Sequence, residues 1–171
     1  MLQRIGNLRG LAARGVSEVR SAVYSLSSLH VRSSGLLPSL RALANEFSHS
    51  TGVSAEVRID GSLPSLSDEV ESGVYRMVHE ALVNVDRHAR ATGVVITLNP
   101  TGRQLEISIR DDGVGLDQRQ GAHWRSAAHF GMRMMAKAIE ECGGEFSASP
   151  HNPRGLLIRA AVPVRPRRGG L

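Results

Sequence analysis

Apolar residues recur along this chain with two different periods. From Leu2 to about Ser27, Ile5, Leu8, Val16, Val19, Val23 and Leu26 fall at three-, four- and seven-type spacings with charges between them, which predicts an amphipathic helix. Gly6, Gly10 and Gly15 weaken it, and a stripe of this kind needs a partner helix, from this chain or another, to bury it. A second helix is expected from Pro38, a residue tolerated in a first turn, through Leu40, Leu43, Ala44 and Phe47 to a stop at Thr51-Gly52. Ala55, Val57 and Ile59 then alternate with Glu56, Arg58 and Asp60, as in a half-buried strand. Ser67 followed by Asp68 and Glu69 predicts an N-cap and an acidic first turn for a long helix ending around Ala91.

Two alternating runs follow, Val94, Ile96, Leu98 and Leu105, Ile107, Ile109, joined across Asn99-Pro100-Thr101-Gly102, and these predict a hairpin. After an irregular, Gly-containing stretch, Gly131 to Cys142 reads as a helix closed by Gly143-Gly144. Strands are expected near Phe146 and from Leu156 to Val162, around a turn at Pro150 to Arg154. The sum is an α+β fold: a two-layer sandwich of a mixed, mostly antiparallel sheet covered by helices on one face and preceded by the N-terminal amphipathic helix. The expected organisation is a helix and linker at 1–34, one domain at 35–165 and a basic tail at 166–171.

Composition narrows this further. At 171 residues, with 41% hydrophobic and 22% charged residues, the chain suits one globular domain with an appendage. Aromatics are 4%, so the core must be aliphatic. The net charge of +5 would permit contact with nucleic acid, but the arginines are scattered apart from Arg165-Pro166-Arg167-Arg168 and no basic patch is interleaved with aromatics. No nucleic-acid partner is expected. A single cysteine, Cys142, excludes an internal disulfide and a cysteine-based metal cage; with no membrane-spanning run and no signal-peptide pattern, the expectation is a cytoplasmic chain.

Three segments carry candidate chemistry. In His79-Glu80-Ala81-Leu82-Val83-Asn84-Val85-Asp86-Arg87-His88-Ala89, Glu80 and Asn84 lie four apart, about 40° around the helix, beside the apolar stripe. A carboxylate next to an amide oxygen suits Mg²⁺-nucleotide chemistry, with Arg87 and His88 on the next turn; an ordinary solvated flank has the same pattern. The strand Leu105 to Ile109 runs into Arg110-Asp111-Asp112-Gly113-Val114-Gly115, where a carboxylate and two glycines one residue apart admit a flat ligand with an exocyclic amine. Asp-Asp-Gly is also an ordinary turn. Phe130-Gly131-Met132 opens a helix after a polar stretch from Asp117 to His129, offering N–H groups to phosphate, or else simply ending a surface loop.

In that order the segments resemble the ATP-binding domain shared by histidine kinases, DNA gyrase and related ATPases. His79 to Ala89 is similar to the N box, Asp112 to Gly115 to the first glycine box and Gly131-Met132 to the second. Val16 to Leu26, Gly35-Leu36-Leu37 and Thr51-Gly52-Val53 resemble part of the dimerisation helix and the start of the ATPase domain in sensor kinases paired with helix-turn-helix response regulators. The resemblance covers about residues 15 to 165. It implies ATP and Mg²⁺ as cofactors, with Glu80 as catalytic base or orienting group and Asn84 as metal ligand. Asp112 would read adenine, Gly113, Gly115 and Gly131 with Met132 would shape the nucleotide pocket, and Arg87 and His88 would be its neighbours. The implied activity is transfer of the ATP γ-phosphoryl group to a histidine outside this chain, for relay to a response regulator, and a homodimer is allowed.

The sequence departs from the family pattern at three places. No histidine followed by an acidic residue lies on a dimerisation helix; His30 and His49 come after it, so the chain is a piece of a longer kinase or a partner supplies the acceptor. Met134 stands where the second glycine box commonly has another glycine, and Leu156 where a threonine commonly follows Gly155. These departures motivate the alternative of a non-catalytic nucleotide-binding module acting through helix association.

Overall fold

The computed structural model describes residues 34–115 and 130–164. The expected first helix, the polar stretch before Phe130 and the basic tail lie outside the described residues.

Helix α1 (Leu36–Thr51) begins two residues earlier than the sequence predicts, with Pro38 in its first turn, where a missing N–H costs nothing. Leu36, Leu40, Ala44 and Phe47 form its buried stripe, and Gly52 stops it in the left-handed conformation at φ 77°. Strand β1 (Ser54–Ile59) follows at once. Helix α2 (Asp68–Asn84) starts at the expected cap: the Ser67 hydroxyl accepts the Val70 N–H, and Asp68, Glu69 and Glu71 occupy the positive end of the helix.

The long helix does not run unbroken to Ala91. At Asn84 it gives way to a π-helical turn, Val85–Ala89, which ends on Arg90 in the left-handed region at φ 49°, ψ 38°. Val85 stays in the core, while the wider turn carries Arg87 and His88 to the surface and brings the Ala89 carbonyl onto the Val114 N–H at 2.8 Å. That bond fixes the end of the helix to a loop far along the chain.

Strands β2 (Gly93–Thr101) and β3 (Gln104–Asp111) form the expected hairpin, helix α3 spans Phe130–Glu140, and β4 (Glu145–Pro150) and β5 (Leu156–Pro163) complete the sheet. The strand order is β1-β2-β3-β5-β4, with β1 parallel to β2 across the α2 crossover and every other pair antiparallel. Side-chain alternation sends Val94, Ile96, Leu98, Leu105, Ile107, Ile109, Ile158, Ala160 and Val162 to one face, where the helices cover them. The two-layer α+β sandwich expected from the pattern is therefore the observed one.

Helices α2 and α3 pack closely at Gly73. A β-carbon there would run into the Cys142 Sγ and come within 2.8 Å of the Ala138 carbonyl oxygen, so the absence of a side chain sets how near the helices lie. Among the described residues no helix is long and apolar enough to cross a membrane.

Candidate functional site

A cavity of about 270 Å³ opens between the end of α2, the start of α3 and the ends of β3 and β5. Small-ligand sites run from about 300 Å³ upward, so this is a compact one. Its floor is apolar, built from Ala81, Val85, Ile109, Leu156 and Ile158, and its polar groups fall into two clusters.

The first cluster is Glu80, Asn84 and Gly131. Glu80 is 3% exposed on the flank of α2, and Asn84 follows one turn later, where the α-helix ends. Gly131, in the first turn of α3, faces both: a β-carbon on it would lie 2.7 Å from Glu80 Oε1 and 2.9 Å from Asn84 Oδ1. A glycine thus leaves room for the Glu80 and Asn84 side-chain ends against the first turn of α3. Arg87 and His88, both exposed, line the same cavity from the π-helical turn, and the buried Met132 lines it from α3.

The second cluster centres on Asp111, not Asp112. Alternation along β3 puts Leu105, Ile107, Ile109 and Asp111 on the core face, so Asp111 is 5% exposed and lines the cavity. Its Oδ1 accepts the Gly113 N–H at 2.9 Å and the Leu156 N–H at 3.4 Å. Burial pushes its carboxyl pKa above the ordinary value, and the two backbone donors oppose that shift only in part. Both of these bonds run to the same carboxylate oxygen.

Asp112, the residue the sequence reading places against adenine, lies outside this cavity. Its Oδ1 accepts the N–H groups of Thr92 at 2.8 Å and Gly93 at 3.0 Å, and its Oδ2 accepts the Thr92 hydroxyl. The Thr92 hydroxyl, followed by the Gly93 N–H, holds the Asp112 carboxyl down to about 2. The physical reason is phase: Asp112 is one residue past the inward position, so its side chain points the other way. Two signals in the sequence mark Asp111 as the cavity-facing residue, namely the alternation continuing from Ile109 to Asp111 and the Asp-x-Gly-x-Gly spacing counted from Asp111.

The glycines divide their work. Gly115 and Gly131 line the cavity, whereas Gly113 shapes it from behind. A β-carbon on Gly113 would collide with the Ala89 carbonyl, so only glycine lets the loop rest on the end of the π-helical turn. Ile109, Ile158 and Phe130 are wall residues that the sequence reading did not single out; the strand alternation that marks core positions marks the first two as well.

Among the described residues no group of three or more His, Cys, Asp or Glu is arranged to hold a metal ion. One amide beside one carboxylate fits a different case, a Mg²⁺ that keeps its waters and takes its remaining ligands from phosphate oxygens.

A family model described as histidine kinase-, DNA gyrase B-, and HSP90-like ATPase matches residues 69–166. The chain is 26% identical over 163 residues to the signal transduction histidine-protein kinase/phosphatase DegS of Brevibacillus brevis, covering 95% of this chain and 41% of that protein. It is 28% identical over 169 residues to the sensor histidine kinase LiaS of Bacillus subtilis, covering 99% of this chain and 45% of that one. The chain thus spans less than half the length of these relatives. In fold it is similar to the catalytic domain of histidine kinase ThkA, with a TM-score of 0.64 at 15% identity over 77% of this chain and 92% of that one.

Proposed function

This chain belongs to the histidine kinase-, DNA gyrase B- and HSP90-like ATPase family, and we propose that it is the Mg²⁺-ATP-binding catalytic core of a two-component sensor histidine kinase. The observation that carries this reading is the pairing, in one cavity, of a buried carboxylate on an apolar floor with a carboxylate–amide pair beside a helix N-terminus.

Asp111 accepts the exocyclic amine of adenine through the oxygen that its backbone donors leave open, while Ile109, Leu156 and Ile158 flank the ring. A guanine carbonyl at the same place would face the carboxylate and be repelled. Arg87 and His88 neighbour the ribose and phosphates, and Gly131 with Met132 brings the first turn of α3 towards phosphate oxygens. Asn84 would hold the Mg²⁺, which screens charge on the phosphates. Glu80, one turn away, orients the nucleophile. The γ-phosphoryl group leaves ADP and is taken by an imidazole nitrogen, so the protein mainly positions groups and screens charge.

The acceptor histidine is supplied by a dimerisation helix outside this chain, in the full-length kinase or a partner, and a response regulator then takes the phosphoryl group. His49 sits in the last turn of α1, its Nδ1 2.7 Å from the Asn45 carbonyl oxygen, and does not line the cavity, which agrees with an external acceptor. The chain works in the cytoplasm, where ATP and the regulator are found.

Calorimetric titration with ATP, with and without Mg²⁺, tests the reading on this chain and on Asp111→Ala. Saturable binding that the substitution removes is expected. No binding by the unsubstituted chain would overturn it.

A further inference from the structure

We infer that Asp112 is a positioning residue: by tying the end of β3 to the start of β2, its carboxylate sets how Asp111 and the π-helical turn face the nucleotide cavity. This rests on the reading of the cavity as an ATP site and names what holds its recognising carboxylate in place.

The tie has several strands. The Asp112 carboxylate accepts both N–H groups and the hydroxyl of Thr92-Gly93, and the Asp112 N–H donates to the Gly93 carbonyl at 3.2 Å. Thr92 lies two residues after Arg90, whose left-handed conformation ends the turn bearing Arg87 and His88. A second tie, from the Val114 N–H to the Ala89 carbonyl, closes a ring of two short segments, 89–93 and 112–114. Inside the ring sits Gly113, pressed on Ala89, and the Gly113 N–H is one of the two donors that hold Asp111. Slack at Asp112 therefore reaches Asp111 on one side and Gly113 on the other.

Asp112 makes this tie from outside the site. It lines a second hollow of about 320 Å³ with Arg110, His151 and Arg154; Asp111 borders both spaces, but Asp112 does not line the main cavity, so removing its carboxylate deletes no side chain from that lining. Its low pKa keeps it ionised at every physiological pH, which makes the clamp permanent and not a switch.

The test compares Asp112→Ala with Asp112→Asn. Asparagine keeps an Oδ1 for both backbone donors and loses only the acceptor for the Thr92 hydroxyl; alanine loses all three. Binding of ATP and of ITP, whose base lacks the exocyclic amine, is measured well below the unfolding temperature. The alanine variant should lose about tenfold in ATP affinity and most of the ATP-over-ITP preference, and the asparagine variant should stay within about threefold of the unsubstituted chain. A loss of stability alone moves neither ratio, so unchanged affinity and preference in the alanine variant overturn the inference. If Asp112→Ala fails to fold, Asp112→Ser, whose hydroxyl replaces only part of the carboxylate's three bonds, should lose more ATP affinity and more ATP-over-ITP preference than Asp112→Asn, and a loss no greater than that of Asp112→Asn overturns it. If the unsubstituted chain binds no ATP, the kinase reading fails separately. Amide exchange of Gly113 and Val114 in the ligand-free protein then decides: faster exchange in alanine than in asparagine upholds the clamp, and equal rates refute it.

Discussion

Gly131 lies over Asn84 so closely that a β-carbon on the glycine would sit 2.9 Å from the amide oxygen. Gly131→Ala should therefore displace the Asn84 and Glu80 side chains, whose ends can move, without unfolding the domain. Mg²⁺-dependent ATP affinity should fall about tenfold while stability changes by no more than about 1 kcal/mol, the scale of a glycine-to-alanine change in a helix. Calorimetry and chemical denaturation on the same sample check both halves.

Asp111 trades stability for recognition. Because its folded pKa is raised, the ligand-free domain binds more protons there than the unfolded chain does, so this group's contribution falls as pH rises from its ordinary 3.8 through the raised value. Asp111→Asn should raise the melting temperature of the ligand-free chain at pH 7 and cost about tenfold to a hundredfold in ATP affinity, the scale of a lost hydrogen bond to a charged group.

Asp112 has the opposite sign. Its folded carboxyl is depressed to about 2, so its contribution is complete above the ordinary value of 3.8 and drains away as pH falls from there to about 2. Acid unfolding of Asp112→Asn, followed by circular dichroism, should show a shallower loss across that window than the unsubstituted chain.

Glu80 and Asn84 should separate in function. Asn84→Ala is expected to abolish the enhancement of ATP binding by Mg²⁺ and leave metal-free binding within about threefold. Glu80→Ala should bind Mg²⁺-ATP but transfer phosphate at least about a hundredfold more slowly when an acceptor helix is supplied. Equal transfer rates would remove Glu80 from the chemistry.

The α2–α3 packing can be tested away from the site. Gly73→Ala should destabilise the domain by about 1–3 kcal/mol through overpacking, and Cys142→Ala in the same chain should recover part of that loss, because the Ala138 carbonyl remains in the way. Urea unfolding of the single and double variants measures the coupling.

Most of the fold is legible in the sequence because each element bears its own mark. Ser67 caps α2, Gly52 stops α1, and strict alternation marks β2 and β3. Where the reading slips, the deciding interaction is distant in the chain. Nothing local to Val85–Ala89 announces a π-helical turn, since its end is fixed by the Val114 N–H. The choice between Asp111 and Asp112 depends on strand phase, and two adjacent aspartates have the same local character. The pairing of Gly131 with Asn84, from elements far apart in sequence, becomes visible only once α2 and α3 are packed together.

The strand order has a kinetic consequence. β5 inserts between β3 and β4, so β4 has no other partner in the sheet, and β5 also brings Leu156 to Asp111. The cavity is therefore closed by the strand synthesised last among the described elements, through contacts of long sequence separation, which are the slow ones to form. A chain emerging from the ribosome can complete its helices and its first hairpin, yet it becomes competent to hold a nucleotide only when β5 is in place. Once β5 has docked, a nucleotide bound across α2, β3 and β5 would stabilise the whole domain by mass action.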